Sequence, residues 1–365
     1  MPAATEVSMQ IDLASAPPSF TRPFVSIVLP IRNEAAFIAR GLQAIVCQNY
    51  PVERMEVIIS DGMSTDGTRD IVQSFCARYP NMHLIDNPGK IVPTGLNAAL
   101  AQARGEIIVR VDGHCEIAAD YVSRCVQHLV QDGVDAVGGP LETIGQTRLA
   151  QAIALAMSSA FGVGGSAFRT VSDRTLLTDT VAFPAFTRAA LEKAGAFDEE
   201  LVRNQDDEYN YRLRKLGAKI LLAADVHSRY YSRSSLRSLW RQYFQYGYYK
   251  VRVMQKHPWQ MRPRQFAPPL FIATLLLSLL MAPFASVGLY LLVLIAGLYA
   301  LANVGASVLA ASKNGWKLLP FLPVIFATLH ASYGAGFLVG LVAFANRWNR
   351  PGRPVDRLGV PLRST

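Results

Sequence analysis

The chain has 365 residues, 51% of them hydrophobic, and a formal net charge of +9. That length admits one large domain with an addition. The positive balance could suit nucleic acid, but the arginines crowd beside apolar segments and from Arg347 to the end. That placement matches anionic lipid headgroups, so a bilayer and no nucleic acid is the expected partner. Charge nearly vanishes from Ala267 to Arg347, broken by Lys313 and Lys317 alone, whereas almost all the acids precede it. A soluble head on a membrane tail follows. Residues 1–23 are rich in Ala, Ser and Pro and lack the apolar core of a signal peptide, so they form a flexible lead-in. The four cysteines show no CxxC pairing and sit in helix- or strand-like runs, as buried free thiols do.

Phe24-Val-Ser-Ile-Val-Leu-Pro30 is a first buried strand, followed by Arg32-Asn33-Glu34 and a helical period over 35–46. Met55-Glu-Val-Ile-Ile-Ser60 is a second strand that runs into Asp61-Gly62. Asp66 and Thr68 suit the N-cap of a helix over 69–79. A short strand at 82–85, a turn at Asp86-Asn-Pro-Gly-Lys90 and an Ala-rich helix over 91–104 come next. The strand Ile107-Ile-Val-Arg-Val111 then ends abruptly in Asp112-Gly113-His114. Strand–helix alternation at this spacing predicts a mostly parallel sheet covered by helices.

In such a sheet ligands bind beyond the carboxyl ends of the strands. Glu34, Asp61 and Asp112 all fall there, on one edge. A single acid would be a turn residue; three on one edge fit a ligand with cationic or hydrogen-bonding groups, such as a nucleotide with its metal. Asp112 and His114 are two residues apart, and Gly113 lets the backbone turn between them. Alone, the triplet also fits a strand-end turn with a capping Asp. Gly138-Gly139-Pro140 and Gly162-Val-Gly-Gly165 lack the spacing of a phosphate cradle, so a metal is the expected counter-charge for a diphosphate.

Pro30-Ile-Arg-Asn-Glu34, Asp61-Gly-Met-Ser-Thr-Asp-Gly-Thr68 and Asp112-Gly-His114 resemble the opening motifs of family 2 glycosyltransferases. The resemblance continues through Gly195-Ala-Phe-Asp-Glu199 and Gln205-Asp-Asp-Glu-Tyr-Asn-Tyr-Arg212, covering about residues 24–250. In its details the chain is similar to the succinoglycan-type exopolysaccharide glycosyltransferases. The resemblance implies a GT-A catalytic domain (24–231), Rossmann-like in its α/β sheet, that inverts the anomeric centre of a UDP-sugar, with UDP-glucose the expected donor. It implies that Pro30, Arg32, Asn33, Glu34, Asp61, Lys90 and Asp112 contact the donor nucleotide. Asp112 would hold a divalent metal, Mn²⁺ or Mg²⁺. The family has a second Asp where this chain has His114; imidazole binds Mn²⁺ more readily than Mg²⁺. A hydrogen-bonding role is the alternative for His114. The base aligns with Asp206, behind Gln205 where the family usually has Glu. Asp207 is its alternative, expected to point off the catalytic face. Asp207, Arg212, Trp240 and Arg241 are acceptor-side candidates. Three consecutive acids, Asp206 to Glu208, repel one another and predict some pKa rise.

Residues 149–168, rich in Ala, Gly and Ser, would pack or gate near the acceptor. Residues 232–266 are basic and aromatic, suited to a membrane interface and equally to packing on the sheet. The tail, 267–346, begins with an uncharged stretch too long for one crossing at about 20 residues, so two helices joined near Pro283 are expected. Residues 318–346 offer a third span or a kinked segment, in which His330 is a hydrogen-bonded helix contact. Arg347, Arg350, Arg353, Arg357 and Arg363 lie in a basic tail, 347–365, that favours the cytoplasm. With the head also inside, the chain is expected as a multi-pass inner-membrane protein acting on a polyprenyl-diphosphate-linked oligosaccharide. The nearest rival is a processive synthase. Those enzymes carry Gln-x-x-Arg-Trp, where this chain has Leu239-Trp-Arg-Gln-Tyr-Phe244. A non-catalytic membrane scaffold is the rival from another class, and intact Asp61, Asp112 and Asp206 weigh against it.

Overall fold

The computed structural model describes residues 22–232 and 234–348. Most of the expected lead-in and of the basic tail lies outside them. The first half alternates β1 Val25–Ile31, α1 Ile38–Val46, β2 Met55–Asp61, α2 Thr68–Arg78, β3 Met82–Asp86, α3 Val92–Gln102 and β4 Ile107–Arg110. Then follow β5 Cys115–Ile117, α4 Tyr121–Gln131, β6 Ala136–Gly139, β7 Leu141–Ile144, α5 Arg148–Met157, α6 Ala160–Val163 and α7 Ala167–Thr170. The head is completed by β8 Leu176–Leu177, β9 Ala182–Thr187, α8 Arg188–Ala194, α9 Gln205–Lys215, β10 Ile220–Leu222 and β11 Ser228–Tyr231. Four long helices end the described chain: α10 Leu236–Lys256, α11 Ala267–Met281, α12 Ser286–Asn314 and α13 Leu322–Ala343.

Eight strands form one sheet in the order β3-β2-β1-β4-β9-β6-β10-β8. Its β3-β2-β1-β4 half is parallel, as alternation with helices requires. β9 runs antiparallel to both β4 and β6, and β8 is antiparallel to β10, so the sheet is mixed. A smaller sheet, β5-β11-β7, stands beside it. Side chains alternate across the pleat. Ile27, Leu29, Val57, Ile59 and Val109 pack toward α1, α4 and α5, whereas Val28, Ile58 and Ile108 face α3, α8 and α9. Each fully buried Ile or Leu contributes about 1.5–3 kcal/mol.

Two sequence expectations change at this level. The α2 cap is Gly67, with φ 89°, and Asp66 instead accepts from the Thr68 and Ala35 amides. Of the four free cysteines, Cys115 and Cys125 are buried, Cys76 is half-buried and Cys47 is exposed at the end of α1.

The head and the helices share one core. Leu322, Ile325, Phe326 and Leu329 of α13 belong to the same buried cluster as Ile153 and Met157 of α5. α13 also lies along α10 at glycine spacing. A Cβ on Gly247 would sit 2.0 Å from the Tyr333 carbonyl, and one on Gly336 would sit 2.0 Å from the Phe244 carbonyl. Among the described residues two helices, α12 and α13, are long and apolar enough to cross a membrane. The turn expected near Pro283 separates α11 from α12, but at 15 residues α11 is shorter than a straight crossing needs. α11 and α12 expose Leu270, Leu277, Leu280, Leu289, Val293 and Leu301, an apolar face broader than water-soluble surfaces carry.

Gly336→Ala should force the α10 and α13 backbones apart and cost about 1–3 kcal/mol, the usual penalty of overpacking. Gly297→Ala, with nothing within 4 Å of the added carbon, should leave the protein as stable or slightly more so. Unfolding midpoints in detergent check the pair. Equal effects would mean that the close helix contact carries no special weight.

Candidate active site

One cavity of about 1160 Å³ opens at the carboxyl ends of the parallel strands and runs toward α11, α12 and α13. Its first wall is the segment after β1. Arg32, Asn33 and Glu34 are held by the loop after β2. The Asn33 amide donates to the Ser64 hydroxyl at 2.8 Å, that of Glu34 to Thr68 Oγ1 at 2.8 Å, and that of Ala35 to Asp66 at 3.1 Å. Asn33 Oδ1 accepts from the Thr65 amide in return. The Ser64-Thr-Asp-Gly-Thr68 run thus serves as a clamp for its neighbour. Asp61 anchors that clamp from below. It is fully buried, accepts from the Ser64 amide and hydroxyl, and pairs with Arg69 at 2.9 Å. It does not line the cavity, whereas Pro30, Arg32, Asn33, Glu34, Lys90, Asp112 and His114 do.

Past β4 the chain approaches this wall closely. A Cβ on Gly113 would lie 2.9 Å from Glu34 Cγ, so glycine is what lets Asp112 and His114 reach the cavity. His114 Nδ1 lies 2.9 Å from Glu34 Oε1. With Nδ1–H donating to that carboxylate, Nε2 is the nitrogen left to accept or ligate. Asp112 Oδ1 accepts from Arg110 Nε at 3.1 Å and Nη2 at 3.0 Å. Arg110 projects from β4, is only 5% exposed, and also donates through Nη1 to Asp206 Oδ1. One guanidinium therefore joins the metal candidate to the base candidate.

The opposite wall is the start of α9. Asn204, with φ 62°, turns the chain, and its side-chain Nδ2 donates to the Tyr246 carbonyl on α10 at 2.8 Å. Asp206 and Asp207 follow at the positive end of the helix dipole, and both line the cavity. The expectation that Asp207 points away is corrected: it pairs with Lys250 of α10. The expected mutual repulsion of the three acids is also relieved, because each faces a different cation: Arg110, shared with Asp112, for Asp206, Lys250 for Asp207 and Arg212 for Glu208. For Glu208 burial raises the pKa, but the His257 hydrogen bond and the Arg212 guanidinium outweigh it and leave the carboxyl below its ordinary range.

Arg212, Trp240 and Arg241 do not reach the cavity. Arg212 spans Glu208 and the carbonyls of Ala194 and Ala196, bracing α9 against α8. Trp240 and Arg241 are exposed on the outer side of α10, while Gln242, Tyr243, Tyr246 and Lys250 face inward. Helical period, applied from Lys250, would have selected those four. Arg110 and Lys250 carry the site's ion pairs and were not singled out from the sequence; a lone charge inside an apolar strand was the available signal for Arg110. Four cavity residues other than glycine, Asn33, Lys90, Phe183 and Asn204, hold positive φ, the strain that functional walls accumulate. Residues of α6 and α7, which overlap the 149–168 segment, line the same cavity.

With this geometry the chain can be compared with known proteins. A model of "Glycosyl transferase family 2" matches residues 26–194. The succinoglycan biosynthesis protein ExoA of Rhizobium meliloti (strain 1021) is 31% identical over 324 residues, 88% of this chain and 96% of that protein. The chain belongs to glycosyl transferase family 2. A second relative, from Methanococcus voltae, is 24% identical over 331 residues, covering 87% of this chain and 97% of its own. It is named as a dolichyl N-acetyl-alpha-D-glucosaminyl phosphate 3-beta-D-2,3-diacetamido-2,3-dideoxy-beta-D-glucuronosyltransferase. The mannosyltransferase PcManGT of Pyrobaculum calidifontis, solved with GDP-Man and Mn²⁺, superposes with a TM-score of 0.56 at 23% identity, over 91% of each chain. The head thus has the GT-A fold that the sequence motifs imply.

The donor set fits a divalent cation. Among the described residues no three His, Cys, Asp or Glu side chains converge. An ion completed by water and diphosphate oxygens needs only one or two protein ligands. Asp112 Oδ2 and His114 Nε2 are the atoms that would hold such an ion, and Glu34 behind His114 is the carboxylate that would orient the imidazole. Glu34→Gln should weaken Mn²⁺ binding in the presence of UDP by about 10- to 100-fold, and Asp112→Ala should abolish it. Electron paramagnetic resonance of free Mn²⁺ reads both. Unchanged affinity in the two variants would reduce Asp112 and His114 to hydrogen-bonding residues.

Proposed function

We propose that this family 2 glycosyltransferase transfers a hexose, with inversion, from a UDP-sugar to a polyprenyl-diphosphate-linked oligosaccharide in exopolysaccharide assembly. UDP-glucose is the donor favoured here. The observation that carries the reading is the single cavity. It has Asp112 and His114 at one wall, Asp206 and Asp207 opposite, and Phe271, Tyr299 and Leu329 of the apolar helices at its end. A donor and a membrane-bound acceptor meet in such a space. The nearly full-length likeness to a succinoglycan biosynthesis protein favours exopolysaccharide as the product class. The exposed leucines of α11 and α12 favour a multi-pass membrane protein, and the arginines that follow the apolar helices favour the inner membrane with a cytoplasmic head.

Arg32, Asn33 and Lys90, on the walls clamped by the loop after β2, hold the nucleotide, and Asp61 acts on it through Ser64. A divalent ion held by Asp112 and His114 would neutralise charge on the departing diphosphate. Asp206 is the base. Arg110 fixes its Oδ1, and Oδ2 keeps only a long 3.5 Å contact to Gln205, so it is placed to accept a proton. The acceptor hydroxyl gives that proton to Oδ2 as its oxygen bonds to the anomeric carbon and the bond to the diphosphate breaks. The sugar passes through an oxocarbenium-like state. Asp207, held by Lys250, lies on the acceptor side.

Purified protein assayed in detergent with UDP- and GDP-sugars and a lipid-linked acceptor tests the reading. One sugar should be added per acceptor; a ladder of longer products would mean a processive synthase. Asp206→Asn should keep UDP-sugar affinity within a few-fold and lose about 10²- to 10⁴-fold in rate. Asp207→Asn should retain most of the rate. The reverse order would move the base to Asp207.

A further inference from the structure

The cavity contains more positive charge than its donor wall uses. Arg110 and Lys250 face carboxylates. Arg169 and Arg264 line the same cavity but, among the described residues, hydrogen-bond only to neutral groups. Arg169, on α7, lies over the rings of Phe168 and Tyr230 at 5.2 and 5.9 Å and donates to Thr143 at 3.4 Å. Arg264, just before α11, donates through Nη1 to the Gly165 carbonyl at 3.0 Å. Of the acids that line the cavity, Asp179 is paired with Arg262 at 3.5 Å and Asp207 with Lys250.

Arg264 is held by design of the backbone. Gly164 and Gly165 both have positive φ, 67° and 74°, and a Cβ on Gly164 would lie 3.3 Å from the Arg264 Cδ. The Gly162-Val-Gly-Gly165 run, which matches no nucleotide cradle, thus becomes the bed on which Arg264 lies. A third polar group faces the same space. The Tyr333 hydroxyl of α13 is buried in the cavity wall with no hydrogen-bond partner. Beyond these groups the lining turns apolar, with Phe271 stacked on Tyr299 at 4.4 Å and Leu329 nearby. His330 fixes that end, lying 2.8 Å from the Phe161 carbonyl and 2.9 Å from the Tyr299 hydroxyl.

Two unpaired guanidiniums and an unused hydroxyl beside an apolar channel call for an anion with a hydrocarbon tail. We propose that Arg169, Arg264 and Tyr333 bind the phosphate groups of an isoprenoid lipid, with its first isoprene units along Phe271, Tyr299 and Leu329. This deepens the acceptor assignment above and rests on it for the identity of the lipid. The donor diphosphate has its own cations at the other wall, Arg32 and Lys90.

The test is titration of the full-length protein in detergent, saturated with UDP and Mn²⁺, with farnesyl diphosphate, inorganic diphosphate and farnesol. Farnesyl diphosphate should bind at least about tenfold more tightly than either part alone. Arg169→Gln and Arg264→Gln should each weaken it about tenfold, as loss of a charge-assisted contact does. Arg169→Lys and Arg264→Lys, which preserve charge and fold, should recover most of that loss. UDP affinity, titrated separately, should stay within about twofold throughout. Three outcomes overturn the proposal. Inorganic diphosphate could bind as tightly as the farnesyl compound, which makes this a plain anion site. The glutamine variants could bind farnesyl diphosphate as the wild type does. UDP affinity could fall in variants whose melting temperature is unchanged, which assigns the arginines to the donor. None of these titrations needs turnover, so a protein that failed to transfer hexose would still pass or fail this test on its own terms.

Discussion

Arg110 sits inside the sheet, on a strand whose other side chains are apolar, and its charge is tolerated there only because two acids meet it. Asp112 takes two of its donors and Asp206 a third. An isolated buried cation costs several kcal/mol, and removing either acid would leave part of that cost uncompensated. The pairing also fixes distance. Asp112 comes from the end of β4 and Asp206 from the start of α9, elements far apart in sequence that no backbone hydrogen bond joins directly. The guanidinium aligns the two carboxylates across the cavity. The remaining furniture of the site, the Glu34–His114 pair on one side and the Asp207–Lys250 pair on the other, is arranged around that bridge.

The second organising contact is between α10 and α13. Gly247, Gly336 and Gly340 bring the two backbones close enough that side chains on either flank reach the catalytic cavity. Lys250, Tyr246 and Gln242 do so from α10, and Tyr333 and His330 from α13. The apolar helices are therefore walls of the candidate active-site cavity as well as candidates for crossing a membrane. This explains why α13 is far more buried than α12 along its apolar window, 44% against 11%.

Much of the head was legible in sequence because its signals are local. β1, β2 and β4 are fully buried and mostly apolar runs with a polar residue at or just past their carboxyl ends, and the loops after them fold on their immediate neighbours. The Glu34, Asp112 and His114 placements needed little beyond knowing where each strand stops. β9 was not legible. Ala182-Phe-Pro-Ala-Phe-Thr187 contains a proline and only two large apolar side chains, and it becomes a strand because β4 and β6 offer it two edges. Trp240 and Arg241 drew notice as aromatic and basic residues, yet the face a helix presents is decided by its neighbour, here α13. Asp207 shows the same limit. Whether an acid in the first turn of a helix points in or out depended on Lys250, 43 residues later. Pairings of that separation leave no periodic trace.

The shared core between head and helices has a consequence for the order in which the molecule is made. Leu239, Tyr243 and Val251 of α10 lie in buried clusters to which α13 contributes, and α13 ends about 87 residues after α10 does. At the pace of a ribosome, about 5–20 residues per second, that interval is roughly 4–17 s. Throughout it the nascent catalytic head carries an open apolar groove on α10 and α5, awaiting the last helix. Docking of the newborn head against the bilayer, or a chaperone's hold on it, has that window in which to act. The enzyme reaches its working shape only when α13 arrives.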